Sequence, residues 1–177
     1  MGTLRQTIIS LEQTPISFDE IMKGLSGHNV HPHFVFLDDL PDNPSDQHIF
    51  KGKDCACILG TLHSHSHATK FNHWTCIIKR PGEYWFFDSL GHTIKQLTIK
   101  LASVKKSLVN WSQNKRIREN KQKIQKTDID VNTCGLHVIV RLLRKELNNV
   151  QYVKWIKHGF LNPDITVSLL CYLDLLK

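Results

Sequence analysis

A turn flanked by two strand-like runs is the feature on which the fold prediction for this chain depends. The runs Trp74–Lys79 and Tyr84–Asp88 are rich in aromatic and β-branched residues, and Arg80-Pro-Gly-Glu83 separates them. This pattern predicts a β-hairpin in which the numbers of paired residues sum to about 163. His73 and Asp88 then lie on adjacent strands roughly 4.8 Å apart, so the hairpin brings an imidazole and a carboxylate within hydrogen-bonding reach.

Cys134 lies at the predicted start of an amphipathic helix. Apolar residues follow it at helical spacing, at Leu136, Ile139, Val140, Leu143 and Leu147. Asn132 or Thr133 is expected to cap this helix, and the positive end of the helix dipole favours a thiolate there. Gly135 allows a substrate backbone to approach closely. Taken singly, the cysteine could instead be an inert core residue, and His73 or Asp88 a polar group at a strand end.

The remaining pattern indicates a single α+β domain over residues 1–177. Ser17-Phe-Asp-Glu20 is a capping box that opens a short helix, and Asn162-Pro163 begins a C-terminal helix. Ile94 to Trp111 carries a helical apolar stripe, and Cys55–Thr61 reads as a buried strand. Strands grouped between helices are typical of the α+β class.

The sequence shows neither a secretory signal nor a membrane span. Its first residues lack a long apolar core, and no apolar run approaches the ~18 residues of a bilayer-spanning helix. The cysteines number five, and an odd count without a secretory signal indicates reduced thiols. We therefore expect an intracellular protein that makes no contact with a membrane.

A basic stretch precedes the predicted cysteine helix. The chain carries a formal net charge of +7, and Glu119 is the one acidic residue between Lys105 and Lys126. Seven basic residues of this stretch are candidates for phosphate contacts: Lys105, Lys106, Lys115, Arg116, Arg118, Lys121 and Lys123. The alternative is a solvated surface that binds nothing specific.

Three segments in this order resemble the adenovirus-type (adenain-like) cysteine proteases, a clan that includes the SUMO-specific proteases. The segments are His73-Trp74, Trp85-Phe-Phe-Asp88-Ser-Leu-Gly91 and Thr133-Cys134-Gly135, with a glutamine ahead of the third. The resemblance covers about residues 55–147, the expected catalytic core. It implies a papain-like fold in which helices pack around a central mixed sheet.

The resemblance also implies a role for each matching residue. His73 would be the general base, Asp88 would orient it, and Cys134 would attack the substrate carbonyl. The backbone N–H of Cys134 and the side chain of Gln125 would hold the oxyanion. Gln122 is the alternative glutamine. Trp74 and Gly135 would line a narrow substrate cleft that suits glycine near the scissile bond.

The short chain looks most like the small maturation proteases of adenoviruses, virophages and Polinton-type elements. The resemblance therefore implies a monomeric endopeptidase that cleaves viral capsid or core precursors inside the host cell and virion. No cofactor is expected to be required, although DNA or a peptide could activate it. The alternatives within the clan are a protease for ubiquitin-like modifiers and an acetyltransferase.

A group of histidines and cysteines suggests an alternative of another class, a zinc-stabilised nucleic-acid-binding module. Its members are His63, His65, His67, Cys55, Cys57 and Cys76. Their spacings match none of the usual zinc-ligand pairs, so we expect no metal.

Overall fold

The protein is an α+β structure built on one five-stranded mixed sheet. A computed structural model describes residues 3–63, 70–101, 105–127, 131–159 and 161–175. The sheet has the strand order β1-β2-β3-β4-β5. Its strands are β1 (His33–Phe36), β2 (Cys55–His63), β3 (Lys70–Arg80), β4 (Glu83–Phe87) and β5 (Ile117–Glu119).

Helices surround this sheet in the described residues. They are α1 (Leu4–Gln13), α2 (Phe18–Leu25), α3 (Asp46–Phe50), α4 (Ile94–Lys100), α5 (Ser107–Ser112), α6 (Cys134–Leu143), α7 (Asn149–Lys157) and α8 (Pro163–Leu175). The predicted capping box opens α2, because the Ser17 side chain accepts from the Glu20 N–H while the Glu20 carboxylate accepts from the Ser17 N–H. None of the helices described is long and apolar enough to cross a bilayer.

The hairpin has the register that its turn predicts. Strands β3 and β4 pair antiparallel, with Cys76 opposite Phe87 and Arg80 opposite Glu83. Gly82, at the turn, has a φ of 72°, a backbone conformation that glycine adopts at little cost. β2 and β3 also pair antiparallel, whereas β1 pairs with β2 and β4 with β5 in parallel. The hairpin is thus at the centre of the mixed sheet.

The sheet separates two apolar cores because successive side chains along a strand point to opposite faces. On one face, Cys57, Trp74 and Cys76 pack against residues of α2, α6 and α8. On the other, Ile58 and Ile77 pack in a cluster with residues of α3, α4 and α5. The helix that begins with Cys134 therefore lies on the same face as Trp74.

The helical stripe predicted from Ile94 to Trp111 is interrupted, so the prediction of one continuous helix is wrong. α4 ends at Lys100, and Leu101 is extended and forms an isolated β-bridge with Leu62. The chain becomes helical again at Ser107. Burial of Leu101 against β2 stabilises the extended conformation at this point more than continuation of the helix would.

Candidate active site

Cys134 is the first residue of α6, as its sequence context predicts. The whole residue is 8% exposed. The preceding residue, Thr133, is the N-cap, but its side chain makes no capping hydrogen bond. Its hydroxyl donates instead to Asp164 of α8. The expected capping contact is therefore wrong in detail, while the thiol still lies at the positive end of the helix dipole.

His73 lies within β3, opposite Gly60 of β2, and its ring is buried. The Nε2 atom is 2.9 Å from Oδ1 of Asp88. Because Nε2 is hydrogen-bonded to the carboxylate, Nδ1 is the ring nitrogen left to interact with the thiol of Cys134. A hydrogen bond between His73 and Cys134 contributes to the electrostatics of both groups. The structure thus brings together the cysteine, histidine and aspartate selected from the sequence.

Asp88 follows β4 directly and is fully buried. Besides His73, its carboxylate accepts from the backbone N–H of Leu90 at 2.7 Å and lies 3.0 Å from Nδ1 of His92. The side chain of Asn120 accepts from the Asp88 N–H and donates to the Asp88 carbonyl. These contacts fix the carboxylate so that it can orient the imidazole and stabilise the imidazolium.

The electrostatics of this group favour a thiolate–imidazolium pair. Burial opposes ionisation of the Cys134 thiol, but the hydrogen bond and positive charge of His73 together lower its pKa below the ordinary 9.0. Burial also opposes the charged form of His73, yet the carboxylate of Asp88 raises the pKa of the imidazole from 6.5 to about 10. By contrast, burial raises the pKa of Cys55 and Cys76 to about 12. These shifts favour the thiolate at Cys134 and the protonated thiol at the other two cysteines.

These pKa shifts predict that Cys134 reacts with alkylating agents at a lower pH than an ordinary thiol does. The alkylation rate should rise as the thiolate forms below pH 9.0 and should not fall near pH 10, because loss of the His73 proton leaves the thiolate in place. Since the folded pKa of His73 is higher than 6.5, its contribution to stability is complete below pH 6.5 and is lost as the pH rises through about 10. Alkylation rates and thermal unfolding of the same samples across this range would test both parts. Alkylation that becomes appreciable only near pH 9.0, as for an ordinary thiol, would contradict the ion pair.

Gln125 is buried against the turn that follows Asp88. Its Oε1 atom accepts from the Ser89 hydroxyl at 2.6 Å, and its backbone N–H donates to the Ser89 carbonyl. Its Nε2 atom is 3.5 Å from the carbonyl oxygen of Val131, three residues before Cys134. Gln122 differs, because its side chain is exposed and accepts from Lys157. Of the two glutamines considered, Gln125 is the one held inside the protein.

Gly91 allows the segment that carries Gln125 to pack against the turn after Asp88. Its φ is 76°, and a Cβ atom on it would lie 2.7 Å from the backbone nitrogen of Lys123. Any side chain at this position would push away the segment that carries Gln125. The Asp88-Ser-Leu-Gly91 turn thus positions both the carboxylate beside His73 and the candidate oxyanion glutamine.

Trp74 borders a cleft beside Cys134, whereas Gly135 is buried beneath Ile16 and is not among the residues that line the cleft. The Trp74 indole donates to the carbonyl of Ile16 at 3.1 Å. A Cβ atom on Gly135 would overlap the Ile16 side chain at 1.7 Å, so this glycine allows the segment before α2 to pack closely. A cavity of about 240 Å³ borders Cys134, Trp74, Ile16 and Phe18. The cleft at the thiol is therefore narrow.

Part of the basic stretch is paired within the protein. Lys115 lies 3.0 Å from a carboxylate oxygen of Asp46, and both Arg116 and Arg118 lie 3.2 Å from Glu83. The other candidates for phosphate contacts are exposed: Lys105, Lys106, Lys121 and Lys123. A phosphate backbone would thus compete with protein carboxylates for three of the seven basic side chains.

The residues of the zinc hypothesis are distributed along the sheet. Cys55, Cys57 and Cys76 are buried in strands β2 and β3. His63 ends β2, while His65 and His67 lie outside the described residues. Within the described part of the chain, the one cluster with metal-ligand geometry is His73, Asp88 and His92, which belongs to the site above.

Three residues at the site were missed by the sequence analysis. His92 follows Asp88 by four residues, and a histidine so close to a candidate catalytic carboxylate could have been considered. Asn120 and Asp164 gave no comparable signal, because both are distant in sequence from the residues that they contact. Asn120 follows β5 and binds Asp88, and Asp164 lies in α8 and binds Thr133.

Neither a scan of protein-family models nor a search of curated proteins gave a match.

Proposed function

We propose that the protein is a cysteine endopeptidase with a papain-like arrangement of nucleophile and base. One observation carries the proposal: a buried Cys134 at a helix N-terminus interacts with His73, whose far nitrogen is 2.9 Å from Asp88. A carboxylate–imidazole–thiol sequence of this kind keeps the histidine charged and the sulfur nucleophilic at neutral pH.

The reaction follows from these positions. The Cys134 thiolate attacks the peptide carbonyl carbon, a C–S bond forms, and the carbonyl oxygen becomes an oxyanion. The backbone N–H of Cys134 and the amide of Gln125 stabilise that charge. Nδ1 of His73 then gives its proton to the leaving amine as the C–N bond breaks. Neutral His73 next removes a proton from water, which attacks the thioester and releases the acid and the thiolate.

The narrow cleft favours substrates with glycine next to the scissile bond. Trp74 and Ile16 leave little lateral room beside the sulfur. The family resemblance supports maturation cleavage of viral capsid or core precursors as the role of the enzyme. Proteases for ubiquitin-like modifiers also cleave after glycine, so a panel containing both substrate types would separate these roles.

Labelling with a small thiol-directed probe tests the proposed chemistry. At neutral pH we expect mass spectrometry to find the label on Cys134, because burial keeps Cys55 and Cys76 protonated. Equal labelling of all five cysteines in the folded protein, or none, would contradict the proposal.

Gln125→Ala should lower kcat by about 100- to 1,000-fold while KM changes little, because the lost donor acts on the oxyanion. Gln122→Ala is the matched control and should retain near wild-type kcat, since its exposed side chain contacts Lys157. Steady-state kinetics on one peptide substrate would compare the two. A near-normal Gln125→Ala with an impaired Gln122→Ala would assign the oxyanion contact to the other glutamine.

We expect DNA to accelerate cleavage of a DNA-bound precursor at low salt. Contacts to several phosphates release counterions, so the gain should disappear between about 50 and 200 mM salt. Glu83→Gln removes the carboxylate that pairs with Arg116 and Arg118 and should tighten DNA binding. Fluorescence anisotropy of labelled DNA would measure this. Cleavage that DNA does not accelerate at low salt would contradict the prediction, and unchanged affinity in Glu83→Gln would exclude Arg116 and Arg118 from the DNA contact.

A further inference from the structure

Asp164 is a buried carboxylate that the proposed mechanism does not use. It lies in the first turn of α8 and is 1% exposed. Its Oδ1 atom accepts from the Thr133 hydroxyl and lies 3.1 Å from Nε2 of His137, and its Oδ2 atom accepts from the backbone N–H of Lys126 at 3.0 Å. Both carboxylate oxygens are therefore engaged.

These contacts join the two sides of the proposed oxyanion hole. Thr133 immediately precedes Cys134, whose backbone N–H is one donor. Lys126 immediately follows Gln125, whose side chain is the other. Gln125 also contacts the segment before Cys134 directly. Its Nε2 atom lies 3.5 Å from the carbonyl oxygen of Val131, which is a long contact. Asp164 accepts hydrogen bonds from both sides at once, from its one position in the first turn of α8.

The charge state of Asp164 suits this task. Although burial alone would raise its pKa, the hydrogen bonds from His137 and Thr133 hold the pKa of the carboxyl below its usual range. An ionised carboxylate can accept all of these hydrogen bonds, whereas a neutral amide offers a single acceptor oxygen.

We infer that Asp164 is a positioning residue that sets the distance between the two oxyanion donors. The inference rests on the proposed peptidase function. Asp164 does not touch the reacting atoms; it fixes the backbone on either side of them. A displacement of about 1 Å between catalytic groups can cost about 100-fold in rate.

Asp164→Asn tests the inference, because the amide cannot accept from both sides. We expect kcat to fall by about 100-fold while KM stays near its wild-type value. The rate at which iodoacetamide alkylates Cys134 should not change, since the contacts among Cys134, His73 and Asp88 are intact. In a Gln125→Ala background, Asp164→Asn should have little further effect, because the donor that it positions is already missing.

Asp46→Asn is the matched control for a general loss of stability. Asp46 also accepts hydrogen bonds from several side chains, those of Tyr84, Trp111 and Lys115, but it lies with the core on the opposite face of the sheet. We expect its kcat to stay near wild type. If Asp164→Asn does not fold, Thr133→Val removes one of the two connections, and its kcat should fall with unchanged alkylation.

The outcomes separate this inference from the proposed function. Selective alkylation of Cys134 with unchanged turnover in Asp164→Asn would overturn the positioning role alone. So would slower alkylation in that variant, or an undiminished Asp164→Asn effect in the Gln125→Ala background. Failure of wild-type Cys134 to react selectively would instead overturn the peptidase proposal.

Discussion

Cys134→Ala is expected to abolish proteolysis and to leave the fold intact. Removal of the nucleophile of a catalytic triad costs on the order of a million-fold in kcat, because no other group can form the covalent intermediate. The structural cost should be small, about 1 kcal/mol, since a methyl group fills much of the space of the thiol. Peptidase assays together with circular dichroism and thermal unfolding would measure both effects.

Cys171→Ala provides the matched comparison. Cys171 is also buried, at 3% exposure, but it lies in α8 within the apolar core. The variant should lose a similar amount of stability and keep its activity. Turnover that persists in purified Cys134→Ala protein would rule out Cys134 as the nucleophile.

His73→Gln is expected to lower kcat on the order of 10⁴-fold or more, because it removes both the base and the acid of the reaction. Glutamine retains an N–H donor for Asp88, so the carboxylate is not left buried without this partner. The variant should also react slowly with iodoacetamide at neutral pH. Without the charge of His73, burial raises the pKa of the Cys134 thiol.

His33→Gln controls for the loss of a strand histidine. His33 lies in β1, and its ring Nδ1 atom is 2.9 Å from the carbonyl oxygen of Ile49, a residue of the core on the face of the sheet opposite α6. Activity and alkylation should both stay near wild type. If His73→Gln were as active as His33→Gln, the base would have to be another residue.

The central hairpin could be predicted because its information is local. The Pro-Gly turn sets the register, and the observed pairing of Cys76 with Phe87 confirms it. The proximity of His73 and Asp88 follows directly from that register. The start of α6 at Cys134 could likewise be predicted from the helical spacing of the apolar residues that follow it. The chemical roles of these residues remain predictions that the variants above would test.

The features that the sequence analysis did not predict depend on contacts between residues that are distant in sequence. Thr133 was expected to cap its own helix, but Asp164, which is 31 residues away, accepts its hydroxyl. Leu101 leaves a helical stripe because β2 offers it an apolar site. Neither competing contact can be read from local propensity, since each exists only after the helices have packed on the sheet.

The close packing of Ile16 on Gly135 has a consequence for inhibitor design. An electrophile must reach the sulfur past Ile16 and Trp74, so the atoms that flank it have to be slender and unbranched. Bulk is better placed several bonds away, where Phe18 and Phe36 border the cavity and are 40% and 44% exposed. We therefore expect two features to make an inhibitor more potent: an unbranched, glycine-like spacer beside the electrophile and an apolar group several bonds away. An inhibitor with a branched residue beside the electrophile should be weaker.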